Sequence, residues 1–284
     1  MIEVTQVAPL RQQIQQWKQA GLRVGFVPTM GNLHRGHLSL VEQAQALTDK
    51  VVVSVFVNPL QFAAGEDFET YPRTLEQDRA KLTAQGCDLL FAPVVDELYP
   101  KGEIATRVCA PVLLDQCWEG ATRPGHFDGV CTVVAKLFNL VQPDLAVFGQ
   151  KDYQQWRVLQ TMVAELNWPI KMVMAPIARD DDGLALSSRN QYLSVKQRQI
   201  APKLFVVLQD IAMAIKSGNR DFRRLEQQAT QQCLAEGFDQ VDYIAIVDPE
   251  SLILLTEDKQ KMTLIAVARL GSTRLLDNIE LDLS

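Results

Sequence analysis

Two of the three histidines in this 284-residue chain lie three residues apart in one short, glycine-containing segment. Gly31 precedes His34, and Gly36 lies between His34 and His37. Glycine lets a ligand approach the main chain closely. A helical pattern begins at Leu38, so both histidines fall at or just before a helix N-terminus, where free N–H groups and the helix dipole favour phosphate. We therefore predict a phosphate-binding site in this segment.

Other interpretations of the histidine pair are weaker. A histidine pair also binds metal ions, but cysteine or carboxylate ligands at zinc-site spacing are missing nearby. The segment lacks the Gly-Lys-Ser/Thr of a P-loop and the glycine spacing of a dinucleotide fingerprint. A solvated strand–turn–helix junction is the structural alternative, and the concentration of two of the three histidines in one turn argues against it.

A second polar turn, Gly149-Gln150-Lys151-Asp152, follows an apolar run and precedes a helical pattern. Lys151 would bring a flexible cation to the same phosphates. Gln155 lies about one helical turn beyond Asp152 and would face the same cleft. Asp152 is also a good N-cap residue, so a well-capped helix is the competing interpretation.

Further polar residues suit a small anionic substrate. The run Leu186-Ser187-Ser188-Arg189 offers hydroxyls and a guanidinium that can clamp a triphosphate, although a polar turn is the usual reason for such a run. Asn58 and Gln61 are uncharged amides that can hold hydroxyls and carboxylates, although Asn58-Pro59 also fits an ordinary turn.

Two more residues receive weaker assignments. His126 lies in a glycine-rich loop, and we predict a structural, hydrogen-bonding role for it. Asp78 is a candidate magnesium ligand, although a carboxylate on a helix surface more often has no such role.

Strand and helix patterns alternate from residue 22 to residue 175, which predicts a Rossmann-like, doubly wound parallel α/β sheet. In such sheets ligands bind at the carboxyl ends of the strands, where the polar segments above are found. Thr74 and Gln77 have the spacing of a capping box at the start of one helix. The predicted strands of this region are 24–27, 51–57, 88–92, 144–148 and 170–175.

The pattern changes after residue 175. A turn-rich stretch, 179–183, leads into helical patterns over 195–216 and 221–236 and two strands, 241–247 and 262–268. We predict a first domain of residues 1–176 and a smaller C-terminal α+β domain of residues 177–284.

Composition narrows the class of protein. The chain has 28 Lys and Arg against 34 Asp and Glu, a net charge of −6, and no basic run, so nucleic-acid binding is not expected. The sequence predicts neither a signal peptide nor a membrane-spanning segment, since it shows no basic start before an apolar run and no apolar run of membrane-spanning length. The five cysteines are scattered without a Cys-x-x-Cys, which predicts reduced thiols and a cytoplasmic location.

The segment Pro28-Thr29-Met30-Gly31, followed by His34-Arg35-Gly36-His37, resembles the His-x-Gly-His signature of the nucleotidyltransferase superfamily. In this form it is similar to the pantothenate synthetase (pantoate–β-alanine ligase) family. Tyr71-Pro72-Arg73-Thr74, the loop 123–127 and the run 269–274 also match that family in order, so the resemblance spans nearly the whole chain.

The resemblance implies ATP-dependent condensation of pantoate with β-alanine through a pantoyl adenylate, with release of AMP and pyrophosphate. It also implies magnesium, a homodimer and a C-terminal domain that closes over the nucleotide. By the family pattern ATP is lined by Met30, Gly31, Asn32, Leu33, His34, Arg35, Gly36, His37, Gly149, Gln150, Lys151, Asp152, Ala178, Leu186, Ser187, Ser188 and Arg189.

The same pattern assigns Gln61 and Gln155 to pantoate, places Gln61 near β-alanine, and makes His37 the proton donor. We add Asn58 as a substrate-binding candidate and His34 and Lys151 as catalytic candidates, because cations must offset the charge that develops when a carboxylate attacks ATP. The chain departs from the pattern at Gln150, where glutamate is commoner, and at Trp156, where leucine is commoner.

Two other functions remain open on the residues alone. A nucleotidylyltransferase would share the histidine motif but would stop after adenylating a phosphorylated substrate. A nucleotide-binding module without catalysis would keep the phosphate-facing segments and turn nothing over.

Overall fold

The computed structural model describes residues 1–63, 65–100 and 106–284. By its internal contacts the chain divides into two compact units. The first unit comprises residues 1–149 and 155–175, and the second comprises residues 150–154 and 176–284.

The described part of the first unit contains a six-stranded sheet in which every neighbouring pair is parallel. Its strands are β1 (Ile2–Val4), β2 (Val24–Thr29), β3 (Lys50–Val55), β4 (Leu89–Phe91), β5 (Leu145–Gly149) and β6 (Lys171–Ala175). The order across the sheet is β1-β4-β3-β2-β5-β6, so the winding reverses between β2 and β5. Such a switch point opens the crevice in which doubly wound folds bind ligands. The predicted Rossmann-like sheet is confirmed.

Helices cover both faces of this sheet, which explains why its central strands read as nearly continuous apolar runs. Val51, Val52 and Val53 of β3 are all buried. The helices of this region are α1 (Val7–Gln19), α2 (Arg35–Leu47), α3 (Leu75–Ala84), α4 (Val95–Leu98), α5 (Val112–Asp115), α6 (Trp118–Thr122), α7 (His126–Val141) and α8 (Tyr153–Glu165), with a 3₁₀ turn at Pro59–Gln61. The 3₁₀ turn Gln150–Asp152 and the first two residues of α8 belong to the second unit.

Two local predictions for this region need correction. Strand β1 was not predicted, because it has three residues and a largely exposed pattern that carries no hydrophobic signal. The predicted capping box at Thr74 does not form. Its hydroxyl donates instead to the Asp78 carboxylate at 3.2 Å, and a charged acceptor makes the stronger hydrogen bond.

The second unit packs three helices against an antiparallel sheet of three strands within its described residues. These elements are α9 (Val195–Ile200), α10 (Lys203–Lys216), α11 (Phe222–Glu236), β7 (Gln240–Val247), β8 (Lys261–Leu270) and β9 (Thr273–Asp282), and a 3₁₀ turn covers Ser188–Tyr192. Leu208 of α10, Ile246 of β7 and Leu264 of β8 belong to one buried cluster. The predicted small α+β domain is confirmed as a fold class.

The second unit differs from the prediction in two ways. The helix predicted over 195–216 is two helices, because Pro202 has no N–H to donate to the carbonyl of Arg198. A third strand, β9, was not predicted, since polar residues such as Asp277 and Asn278 interrupt its apolar alternation. No helix in the described ranges of the chain is long and apolar enough to cross a membrane.

Candidate active site

The loop from β2 to α2 carries two histidines and turns sharply at Gly31 and Asn32, where φ is +84° and +50°. The N–H of Gly31 donates to the hydroxyl of Thr29 at 3.2 Å, and that hydroxyl donates to the carbonyl of Ser54 at 2.8 Å. A Cβ at position 31 would lie 3.0 Å from Oδ2 of Asp78. Glycine therefore permits both the left-handed turn and the close approach of that carboxylate.

Asp78, on α3, is fully buried beneath this loop. Its carboxylate accepts hydrogen bonds from the N–H of Asn32 at 2.9 Å, the N–H of Leu33 at 2.7 Å and the hydroxyl of Thr74. If a metal ion took the place of these donors on the carboxylate, the buried N–H groups would lose their hydrogen-bond partners, which costs free energy. Asp78 does not fit the magnesium role predicted for it.

Each histidine accepts a backbone hydrogen bond at Nδ1. The N–H of Gly36 donates to Nδ1 of His34 at 3.1 Å, and the N–H of His34 donates to Nδ1 of His37 at 3.3 Å. The centroids of the two rings are 4.1 Å apart, and the ring planes are inclined by 35°. Because a backbone N–H only donates, Nδ1 carries no proton, and each neutral ring holds its proton on Nε2. Both imidazoles thus have an Nε2–H donor.

The N-terminal N–H groups of α2 are largely used by the loop itself. Those of His37 and Leu38 donate to the carbonyl of His34 at 2.8 and 3.1 Å, and that of Gly36 donates to the His34 ring. The prediction of free N–H groups at this helix end is therefore wrong for these three residues. The imidazole Nε2–H groups add two donors at this loop besides those of the main chain.

Asn58 immediately precedes the 3₁₀ turn after β3, and its side chain is saturated. Its Nδ2 donates to Oε1 of Gln61 and to the carbonyl of Gly129, both at 3.1 Å. Its Oδ1 accepts from the N–H of Leu60 at 3.3 Å and from the hydroxyl of Tyr99 at 2.9 Å. An amide has two donors and two acceptor lone pairs, so all four positions are taken. In this arrangement Asn58 orients Gln61 rather than contacting a ligand.

Gln61 is held on its other side by a buried chain of contacts. The side-chain Nε2 of Gln61 donates to Sδ of Met30 at 3.0 Å. The backbone carbonyl of Gln61 accepts a hydrogen bond from Nδ1 of His126 at 2.7 Å. The guanidinium of Arg123 donates to Nε2 of His126 at 3.0 Å and pairs with Glu66 at 2.7 Å. Burial, assisted by the nearby Arg123 charge, lowers the pKa of His126 to about 4. His126 is therefore neutral at pH 7, in keeping with the structural role predicted for it.

In the second unit, Asn278 of β9 anchors the turn that carries Lys151. Its Nδ2 donates to the carbonyls of Gln150 and Lys151 at 2.9 and 3.0 Å, and its Oδ1 accepts from Nε2 of Gln150 at 3.2 Å. The ammonium of Lys151 lies 3.4 Å from Oδ1 of Asp152. The glutamine at position 150 thus supplies a donor that a glutamate would lack.

The predicted nucleotide residues Ala178 and Leu186 face each other across a short hairpin. The N–H of Leu186 donates to the carbonyl of Ala178 at 2.9 Å. Arg179 fixes this hairpin to β9 through a bidentate pair with the buried Asp277, at 2.6 and 2.7 Å. Asp277 and Asn278, adjacent on β9, therefore hold both segments.

The serine-rich run continues from this hairpin. The hydroxyl of Ser187 accepts from the N–H of Arg189 at 3.3 Å and so caps the 3₁₀ turn Ser188–Tyr192. Ser187 and Asn190 line a small cavity of the second unit together with Lys151. Residues from two separate predicted segments thus meet in one cavity.

The remaining predicted residues lie on or beside α8. Gln155 is half-buried. Its neighbour Trp156 is buried, with its ring 6.5 Å from that of Phe148. The unusual tryptophan therefore extends the aromatic packing below the Gln155 position.

Sequence reasoning missed four residues that position the site, namely Lys81, Tyr99, Arg123 and Asn278. Each acts on a partner at least 41 positions away, such as the 48 positions from Lys81 to the Leu33 carbonyl. No local spacing marks such pairs. The matching loop around Arg123 was the single signal available.

The family match and similar relatives of the chain point to the same family of proteins. Residues 3–280 match the family described as Pantoate-beta-alanine ligase. Pantothenate synthetase from Hydrogenovibrio crunogenus is 57% identical over 279 residues, which cover 98% of this chain and 99% of that protein.

Solved structures agree with the sequence comparison. A crystal structure of pantothenate synthetase from Thermus thermophilus is similar with a TM-score of 0.91 and 48% identity, and covers 98% of this chain and 99% of that one. A pantoate-beta-alanine ligase from Francisella tularensis, in complex with beta-gamma ATP and beta-alanine, has a TM-score of 0.82 and 32% identity, covering 98% and 97%.

Proposed function

The chain belongs to the pantoate-beta-alanine ligase family, and we propose that it condenses pantoate with β-alanine to pantothenate at the expense of ATP. The observation that carries this proposal is the family match over residues 3–280, within which the His34–His37 loop is intact. The match favours a ligase over a nucleotidylyltransferase that ends with adenylation.

The reaction proceeds in two displacements. A pantoate carboxylate oxygen attacks the α-phosphorus of ATP, forming the O–P bond of pantoyl adenylate as the bond to pyrophosphate breaks. The amine of β-alanine then attacks the acyl carbon, forms the amide and releases AMP, and the amine proton passes to a base or water. No covalent enzyme intermediate is needed.

The histidine pair suits the first displacement. Its two Nε2–H groups are donors that can stabilise negative charge on the phosphate oxygens in the transition state. Lys151 and Arg189 add cationic charge for the β- and γ-phosphates. We assign the family's proton-donor role to His37, which as a neutral ring acts as a hydrogen-bond donor through Nε2–H. We assign ATP to residues 30–37, 149–152, 178 and 186–189, and pantoate to Gln61 and Gln155. Asn58 orients Gln61.

Magnesium belongs to the substrate in this proposal. Because the oxygens of Asp78 already accept hydrogen bonds, we assign Mg²⁺ to the phosphate oxygens of ATP and to water, its common ligands in ATP-using enzymes. Residues 1–176 form the nucleotide- and pantoate-binding domain and residues 177–284 the lid. We further propose a cytoplasmic homodimer, a state that light scattering of the purified protein tests.

Product analysis tests the activity. Purified protein is incubated with Mg-ATP and pantoate, with and without β-alanine. We expect free AMP and pantothenate with β-alanine present, and enzyme-bound pantoyl adenylate with pyrophosphate without it. If AMP forms under neither condition, the ligase assignment is wrong.

A further inference from the structure

We propose that Asp78 and Lys81 are positioning residues, which clamp the backbone of residues 32–33 and thereby set the two histidine rings for adenylate formation. The inference rests on the proposed function in one respect, namely that the clamp affects the rate of adenylate formation. The geometry of the clamp is independent of any substrate.

The first part of the clamp is electrostatic. Asp78 is fully buried, and two consecutive backbone N–H groups, those of Asn32 and Leu33, converge on its two oxygens. Consecutive N–H groups aimed at one point form a concave nest that commonly binds an anion. Here the chain supplies its own anion from α3, so the nest is filled by a carboxylate.

The second part holds the other backbone group of Leu33, the carbonyl of the Leu33–His34 peptide. Lys81 lies three residues after Asp78, on the same face of α3. Its ammonium donates to the carbonyl of Leu33 at 2.6 Å. The N–H and the C=O of Leu33 are thus held by one helix, through charge-assisted hydrogen bonds.

The clamp acts directly on the two histidines because His34 is the next residue after the clamped segment 32–33 and is hydrogen-bonded to His37. His34 is the residue after Leu33, and its own N–H donates to the His37 ring while its ring accepts from Gly36. A rotation of the Leu33–His34 peptide would break the hydrogen bond that fixes the His37 tautomer. Small errors in the placement of reacting groups are costly to rate.

Asp78→Asn tests the electrostatic part. The amide cannot accept at both positions and turns an NH₂ group toward one of the N–H donors. We expect single-turnover pyrophosphate release to slow by about 10- to 100-fold, with KM for β-alanine unchanged. Glu76→Gln is the matched control, since it removes the same charge from a side chain of α3 that is 86% exposed, and it should behave as wild type.

Lys81→Met tests the second part and separates it from metal binding, because a lysine ammonium is not a ligand for Mg²⁺. We expect the same step to slow and Lys81→Arg to restore most of the rate. If Asp78→Asn does not fold, as judged by thermal unfolding, the two Lys81 variants decide the matter. Wild-type rates for Lys81→Met overturn the clamp. If a raised Mg²⁺ concentration restores the rate of Asp78→Asn, the clamp is also overturned, and Asp78 is a metal ligand instead.

Imidazole ¹⁵N NMR gives a readout that does not depend on activity. The chain has three histidines, so three ring systems are expected. In wild type, His34 and His37 should show the Nε2–H tautomer, and Asp78→Asn should change both of these signals but not those of His126. Unchanged tautomers in Asp78→Asn contradict the clamp even if the wild type is inactive, whereas inactivity of the wild type alone overturns the proposed function.

Discussion

The side chains of His34 and His37 use one ring nitrogen for the fold, and the proposed function uses the other for the chemistry. Each Nδ1 accepts a backbone N–H, which ties the ring to the helix start and settles the tautomer. In the proposed reaction each Nε2–H donates to a phosphate oxygen. Structural and chemical roles are compatible because the imidazole has two distinct ring nitrogens.

Substitution His37→Ala removes one Nε2–H donor and the acceptor for the His34 N–H. We expect pyrophosphate release in a single turnover to slow by about 10²-fold or more, with a much smaller change in pantoate binding. Glu42→Gln, an exposed change on the same helix, is the control. An unchanged single-turnover rate would show that His37 has no part in adenylate formation.

The neutral His126 predicts a specific pH dependence of stability. Its pKa is about 4 in the folded chain, below the ordinary 6.5, so the unfolded chain takes up a proton first as pH falls. The stabilisation is complete above pH 6.5 and is lost between pH 6.5 and 4, by up to about 3 kcal/mol. Urea unfolding at several pH values should show this loss in wild type.

The non-titrating variant His126→Gln should lack that component of the pH dependence. The difference in unfolding free energy between wild type and variant should therefore shrink as pH is lowered from 7 to 5. A pH-independent difference would mean that His126 is not held neutral in the fold.

At the scale of elements, close packing of α7 against the turn after β3 sets the position of Gln61. A Cβ at Gly129 would overlap the carbonyl oxygen of Leu60, and no adjustment confined to side chains would relieve that overlap. Glycine lets the helix backbone accept the Asn58 amide directly. The side-chain amide of Gln61 is thus placed by close contact between the backbones of α7 and of the turn.

Gly129→Ala should push the helix and the turn apart. We expect a loss of at least about 2 kcal/mol in the free energy of unfolding, from overpacking, together with a raised KM for pantoate. Urea unfolding and steady-state kinetics measure the two effects. Wild-type values for both would contradict the packing described for α7.

Strand β9 has the corresponding role in the second unit through Asn278. Asn278→Ala removes three hydrogen bonds to the Gln150–Lys151 turn. We expect KM for ATP to rise by about 10-fold, because a tenfold change corresponds to the net free energy of roughly one to two hydrogen bonds. KM for pantoate should change little. Asp282→Asn, at the exposed end of β9, should leave both constants unchanged.

At the scale of the whole molecule, the predicted nucleotide residues divide between the two compact units. Residues 30–37 and Gly149 belong to the first unit, and residues 150–152, 178 and 186–189 belong to the second.

The five cysteines are also spread over the chain, and all five are free thiols.

Thiol titration under non-reducing conditions checks this arrangement. Cys109 is exposed and should react fast in the native protein. Burial raises the pKa of Cys87 to about 11, of Cys131 to about 12 and of Cys233 to about 11, so these three should react only as the protein unfolds. Denatured protein should show five thiols, and fewer would reveal a disulfide.

The amino-acid sequence by itself determined the doubly wound sheet, the break in pattern near residue 176 and the histidine motif. These depend on hydrophobic periodicity and on residues close together in the chain. Its errors were also local, as at Pro202, where a continuous apolar pattern hid a helix break, and at β9, where polar anchors masked a strand.

The tertiary structure alone decided which groups hold the site. Asp78 and Leu33 are 45 positions apart, and Asn278 and Gln150 are 128 apart. Their hydrogen bonds exist because packed helices and strands bring distant residues together, which no local pattern encodes. For that reason Asp78 read as a possible metal ligand in sequence and is a partner of the main chain in the fold.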